Sequence, residues 1–135
     1  FSCLFNWTNV PGQIQMIDSL MVQQQVKSVW QHMVGVMCLN LTYRKQVKKL
    51  LPKLFKRYPN PIAFIRGRYN TQEKMLRPLG MSTVRAKRLK YMSVDFLSWD
   101  GKDATDLYGI GKYGSDSYRI FYNYHYHIYL CHIGL

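Results

Sequence analysis

The stretch DLYGIGKYGSDSYRIF, residues 106–121, constrains this chain more than any other. A Gly-x-Gly pair, Gly109 and Gly111, lies between two short pieces of helix-forming sequence, and Lys112 and Tyr113 follow the second glycine directly. Glycine has no Cβ, so the amides of Gly109, Ile110 and Gly111 are free to approach an anion closely. The helix expected next, over residues 115–121, turns its positive N-terminal end toward the same place. Asp116 falls in the first turn of that expected helix, where a carboxylate favours the dipole. Two helices around such a hairpin hold a phosphate without reading a base. Lys112 is placed either to meet that phosphate or to stand as a solvated loop lysine. Tyr113 either faces the same site or packs into the core.

Charge points the same way. Nineteen Lys and Arg stand against seven acids, for a net charge of +12, which fits a polyanionic partner such as nucleic acid. A chain of 135 residues with 47% hydrophobic and 19% charged residues is a folded single domain rather than a disordered one. Cys3, Cys38 and Cys131 are scattered and form no Cys-x-x-Cys pair. That spacing suits a reducing compartment and carries no zinc or iron–sulfur signature. Cys38 reads as core. The longest apolar run, residues 29–41, is broken by Gln31, His32 and Asn40, so no membrane span is expected. The chain opens at Phe1 without methionine, which reads as a fragment or a processed product with no signal peptide.

The pattern along the chain is helical throughout the first nine-tenths. A polar-sided helix is expected over residues 13–25, after the Pro11-Gly12 turn, and an apolar central helix over 27–39. Residues 42–58 give the clearest amphipathic pattern, with Val47, Leu50, Leu51, Leu54, Phe55 and Tyr58 on one stripe and the lysines mostly off it. Pro52 inside that run is expected to kink the helix or mark a boundary. A short apolar piece over 62–65, a helix over 71–77, a Pro78-Leu-Gly80 turn and a helix over 83–97 capped by Ser82 follow. Residues 103–107 open the hairpin motif. Residues 122–135 hold four tyrosines and no charged side chain if histidine is neutral, and read as strand or as no definite structure. The expected organisation is therefore one domain over 1–121 and a divergent tail over 122–135.

With these motifs in view, the run LYGIGKYGSDSYRIF resembles the helix-hairpin-helix of the methyl-CpG-binding-domain thymine/uracil DNA glycosylases. Leu39-Asn40 with Thr42, Lys56-Arg57-Tyr58-Pro59, Pro78-Leu-Gly80 and Arg85-Ala-Lys87 agree in order and spacing, over residues 19–121. The resemblance implies an all-α helix-hairpin-helix DNA glycosylase fold, incomplete at the C-terminus. It implies phosphate contacts through Gly109, Ile110, Gly111 and Lys112. Tyr113 stands where strand-nicking members carry a nucleophilic lysine, and so is similar to the monofunctional thymine and uracil glycosylases, in which the tyrosine borders the flipped-base pocket. Gln23, or Gln24 after a one-residue shift, resembles the glutamine that hydrogen-bonds the extruded pyrimidine. Leu41 replaces the arginine that normally follows Leu-Asn, leaving an apolar wedge without the guanidinium. In the second insertion loop Leu79 or Met81 is the apolar element.

One departure bears on catalysis. The family places an aspartate about a dozen positions beyond Tyr-Arg-Ile-Phe, to stabilise an oxocarbenium-like sugar and supply water. Here that count reaches His132, Ile133 and Gly134, and no acid follows Asp116. His125, His127, Cys131 and His132 are poor substitutes, and a foreign tail is the preferred reading. The resemblance thus implies a nuclear DNA repair protein without cofactor or metal, acting as a monomer away from membranes on double-stranded DNA that holds a mismatched thymine or uracil. Impaired excision is expected. A non-catalytic DNA-binding helix-hairpin-helix module and a non-functional truncated product remain the alternatives.

Overall fold

An eleven-residue helix that is apolar nearly all round has to be enclosed by other elements. In the computed structural model, which describes residues 26–122, that helix is α1 (Val29–Leu39). Ser28 caps it, its hydroxyl accepting from the Gln31 amide at 3.2 Å. Trp30, Met33, Val34, Val36, Cys38 and Leu39 are all buried. The helix expected over residues 13–25 and the tail beyond Tyr122 lie outside the described residues.

Helix α2 (Arg44–Arg57) buries Val47, Leu50, Leu51, Leu54 and Phe55, as its periodicity predicts. The helix is continuous through Pro52, so of the two expectations there, a kink or a boundary, the boundary does not occur. The proline ring is exposed, and buried residues on both sides of it hold the helix against the core. Helix α3 (Pro61–Arg66) starts with proline at its first position behind the cap Asn60, whose side chain accepts from Ala63 at 2.8 Å. Helix α4 (Tyr69–Leu76) tightens into a 3-10 turn over Arg77–Leu79. Among the described residues no strand occurs.

Helix α5 (Ser82–Ser98) packs on α1, α3 and α4. Its cap is Met81, in the left-handed region at φ 49°, rather than Ser82 as the sequence suggests. The Ser82 hydroxyl instead donates to Glu73 Oε2 at 2.7 Å, beside the Arg77 guanidinium at 2.9 Å. The hydrogen bonds from Arg77 and Ser82 hold the Glu73 carboxyl down at about 2.

A second 3-10 turn, Ala104–Asp106, is capped by Asp103 and leads through the glycine pair into α6 (Lys112–Tyr122). Helix α6 thus begins three residues earlier than the sequence reading places it. Asp116 consequently lies beyond the first turn, where it accepts from Lys112 Nζ at 2.8 Å.

Helices α1 and α6 meet at His32. It is fully buried, its Nε2 lies 2.6 Å from the Ser117 hydroxyl, and the Phe121 and Tyr122 rings flank it. Among the described residues Nδ1 has no partner. Burial pushes the imidazole down to about 4. A depressed imidazole pKa means that the unfolded chain binds the extra proton first. The neutral form therefore contributes stability that is complete above pH 6.5 and is lost as pH falls toward 4. Roughly 2–3 kcal/mol should disappear across that window. Urea unfolding at pH 7 and pH 5 measures the loss, and His32→Gln should flatten the difference.

Candidate nucleic-acid interface

The hairpin is a turn closed by the Ile110 amide, which donates to the Leu107 carbonyl at 3.1 Å. That turn requires Gly109 at φ 78°, a backbone state that L side chains adopt only under strain. Ile110 points its side chain into the core and is 5% exposed. Its amide is committed and its side chain is buried, so Ile110 shapes the hairpin instead of offering a third donor. Among the described residues the Gly109 and Gly111 amides donate to no backbone carbonyl. A Cβ on Gly111 would meet nothing within 4 Å. Open space at Gly111 and the N-terminus of α6 together make an anion-accepting corner.

Gly114, one turn into α6, closes the other side. A Cβ there would lie 2.7 Å from Ile110 Cγ2 and 3.3 Å from Val36 Cγ1. The glycine therefore lets α6 sit directly on the hairpin and on α1. Tyr108 is exposed at the tip, its ring edge-on to Tyr91 at 5.3 Å and its amide donating to Asp95 Oδ2 at 2.9 Å.

Two further residues lie in the left-handed region, Leu41 at φ 56° and Met81 at φ 49°. Each costs about 1–2 kcal/mol of backbone strain. They are also 83% and 53% exposed. Large apolar side chains in strained and solvated positions contribute little to folding. The other expected insertion residue, Leu79, is 7% exposed within the 3-10 turn. The second loop thus presents Met81, while Leu79 anchors it. The Arg85 side chain lies between the two loops and donates to carbonyls of both.

These walls bound a groove of about 690 Å³. Leu41, Met81, Arg88, Gly109, Gly111, Lys112 and Tyr113 all line it. Lys112 is exposed and pairs with Asp116 one turn on along its own helix, an ion pair weak enough to be exchanged for a phosphate. Tyr113 is half-buried at the groove wall and packs on the core. Cys38 also borders the groove, but burial pushes its thiol up to about 12, far from a nucleophilic thiolate. Among the described residues no carboxylate lines the groove. Nor does any group of three or more His, Cys, Asp or Glu among them stand ready for a metal ion.

The comparisons with known proteins agree with this geometry. The chain is 30% identical over 94 residues to a methyl-CpG-binding domain protein 4-like protein of Arabidopsis thaliana, covering 70% of this chain and 21% of the relative. It is 30% identical over 86 residues to a thymine-DNA glycosylase of Aeropyrum pernix, covering 64% of this chain and 36% of the relative. The chain has the fold of the helix-hairpin-helix DNA glycosylases and is related in sequence to these two proteins. Its fold matches endonuclease III in a non-covalent DNA complex with a TM-score of 0.65 at 15% identity, over 86% of this chain and 62% of the other. A trapped covalent intermediate of endonuclease III on DNA matches equally, with a TM-score of 0.64 at 15% identity over the same shares of the two chains. No protein-family model matches the chain. The chain spans a fifth to about a third of the two curated relatives.

The structure brings Leu41 into one groove with Gly109, Gly111, Lys112 and Tyr113, 68 or more residues further along the chain. Gln23 and Gln24 lie outside the described residues. Sequence reasoning did not single out Arg88, Tyr108 or the role of Arg85. Arg88 follows Arg85 by three residues and so shares its helix face, a spacing that would have marked it as a groove cation.

Proposed function

We propose that this chain is a DNA repair protein that engages double-stranded DNA at thymine or uracil mispaired with guanine, extrudes the pyrimidine, and releases it slowly at most. The carrying observation is that one groove is lined both by an open glycine hairpin and by two exposed apolar residues in strained backbone. The hairpin supplies a sequence-neutral hold on the phosphodiester. Leu41 and Met81 fill the space that a departing base leaves in the stack. Tyr113 then borders the extruded pyrimidine and Gln23 hydrogen-bonds it. The chain acts as a monomer, in the nucleus.

Slow release follows from the chemistry. Cleaving an N-glycosidic bond develops positive charge on the sugar, which a nearby carboxylate stabilises. The groove offers none among the described residues, and none stands about a dozen positions beyond Phe121, at His132, Ile133 and Gly134. That same observation favours the second reading, a DNA-binding module without turnover. The test is incubation with uracil–guanine and thymine–guanine duplexes, followed by alkaline cleavage at released sites, alongside binding measured over a salt series. The expected result is salt-dependent binding with little or no base release. Robust excision would overturn the claim of impairment, and absence of duplex binding would overturn the DNA reading.

A further inference from the structure

The Arg85 guanidinium has five N–H donors, and the structure occupies them all. Nε donates to the Gly80 carbonyl at 2.9 Å. Nη1 is shared between the Met37 and Cys38 carbonyls at 3.3 and 3.4 Å. Nη2 donates to the Asn40 carbonyl at 2.7 Å and to the Thr42 hydroxyl at 2.6 Å. The acceptors are not scattered. Asn40 and Thr42 bracket Leu41, and Gly80 immediately precedes Met81. The Arg85 amide also donates to the Met81 carbonyl at 2.9 Å. Thr42 Oγ1 donates in turn to the Asn40 carbonyl at 3.1 Å, closing the first loop on itself.

We propose that Arg85 is the positioning residue for insertion: one guanidinium fixes both left-handed residues, Leu41 and Met81, and presents them as a single apolar wedge to a gap in duplex DNA. The inference rests on the DNA reading above and adds what determines the preference for a base-less site. Arg85 is 9% exposed, and among the described residues no carboxylate lies within ion-pair distance. A buried cation satisfied only by neutral oxygens is costly to retain for stability alone. It is well suited to hold two loops in backbone states that neither keeps unaided, because a planar fork bonds carbonyls on several sides at once. Lysine, with three donors on one atom, cannot span them.

The test compares fluorescence-anisotropy binding of two duplexes, one intact and one with a tetrahydrofuran abasic site opposite guanine. The unmodified chain should prefer the abasic duplex. Arg85→Met should lower that preference by about tenfold, close to the level reached by Leu41→Ala with Met81→Ala. Adding Arg85→Met to that double variant should then lower it no further, because the wedge is already gone. Arg85→Lys should fall between, and its cooperative thermal unfolding shows that the fold survives. An undiminished preference in Arg85→Met or in a folded Arg85→Lys would overturn the proposal. So would an additive loss in the triple variant, which would mean that Arg85 acts on DNA independently of the wedge. If the unmodified chain binds the intact duplex but shows no preference for the abasic one, the wedge proposal falls and the DNA reading stands. If it binds neither duplex, both fall.

Discussion

Gly111→Leu is expected to weaken duplex binding by about ten- to a hundredfold while the protein stays folded. The two halves of that expectation have separate physical sources. Gly111 has open space where a Cβ would go, and its φ lies outside the left-handed region. A leucine there meets no wall of the protein and strains no torsion. Its cost in stability is confined to the N-cap position of α6, where Gly111 carbonyl accepts from Ser115 at 3.0 Å, and amounts to about 1 kcal/mol or less. The leucine side chain, however, fills the corner at which a phosphate would reach the Gly109 and Gly111 amides. Losing one charge-assisted hydrogen bond removes about 1.5–3 kcal/mol, and tenfold in affinity corresponds to 1.4 kcal/mol.

Gly109→Ala provides the contrast that makes this informative. Alanine at φ 78° is strained, and its Cβ would lie 2.8 Å from the Met37 thioether methyl. That variant should lose stability and binding together. Anisotropy titrations with a fluorescent duplex at two salt concentrations, set beside thermal unfolding by circular dichroism, separate the two. A Gly111→Leu protein that binds DNA as the unmodified chain does would place the phosphate elsewhere.

How much of this was legible beforehand depends on the distance over which each signal acts. The amphipathic stripe of α2 is a local property, and Val47, Leu50, Leu51, Leu54 and Phe55 are buried as their spacing predicts. Of the kink or boundary expected at Pro52, the boundary does not occur, because burial on both flanks of the proline outweighs its local chemistry. The start of α6 was placed late because Lys112, Tyr113 and Gly114 look like loop residues in isolation. Their helical state is fixed by the packing of Gly114 on Ile110 and Val36, the latter 78 residues away.

The site divides along the same line. The glycine pair reads directly as a hairpin, since only glycine supplies φ 78° cheaply. Which of Leu79 and Met81 faces solvent could not be read, because both are apolar and two residues apart. The 3-10 turn over Arg77–Leu79 settles it by rotating Leu79 inward. The role of Arg85 was hidden. Its partners lie 43 to 48 residues upstream on one loop and five upstream on the other. An arginine on a basic helix carries no mark of such bonds.

The largest loss of stability should come from Trp30→Ala, at about 3–5 kcal/mol. The ring is 1% exposed and packs edge-on against Phe55 at 6.1 Å and tilted against Phe64 at 6.2 Å. It is therefore the point at which α1, α2 and α3 share one side chain. Its indole Nε1 also donates to the Ser93 hydroxyl at 2.9 Å, tying α1 to α5. Ser93 passes that bond on to the Leu89 carbonyl at 2.7 Å, so the hydroxyl stays satisfied when the indole is removed. The loss is then mostly cavity and ring contact rather than an orphaned polar group. Trp30→Phe isolates the difference: it keeps an aromatic ring and should cost about 1–2 kcal/mol. A small domain has about 5–15 kcal/mol in total, so alanine removes about a fifth of it or more. Because α1 and α5 carry Leu41 and Met81 at their ends, duplex binding by Trp30→Ala should fall with its folded fraction, and urea unfolding monitored at 222 nm should report both variants. Equal unfolding midpoints for the alanine and phenylalanine variants would mean that the ring contacts with Phe55 and Phe64 hold nothing together.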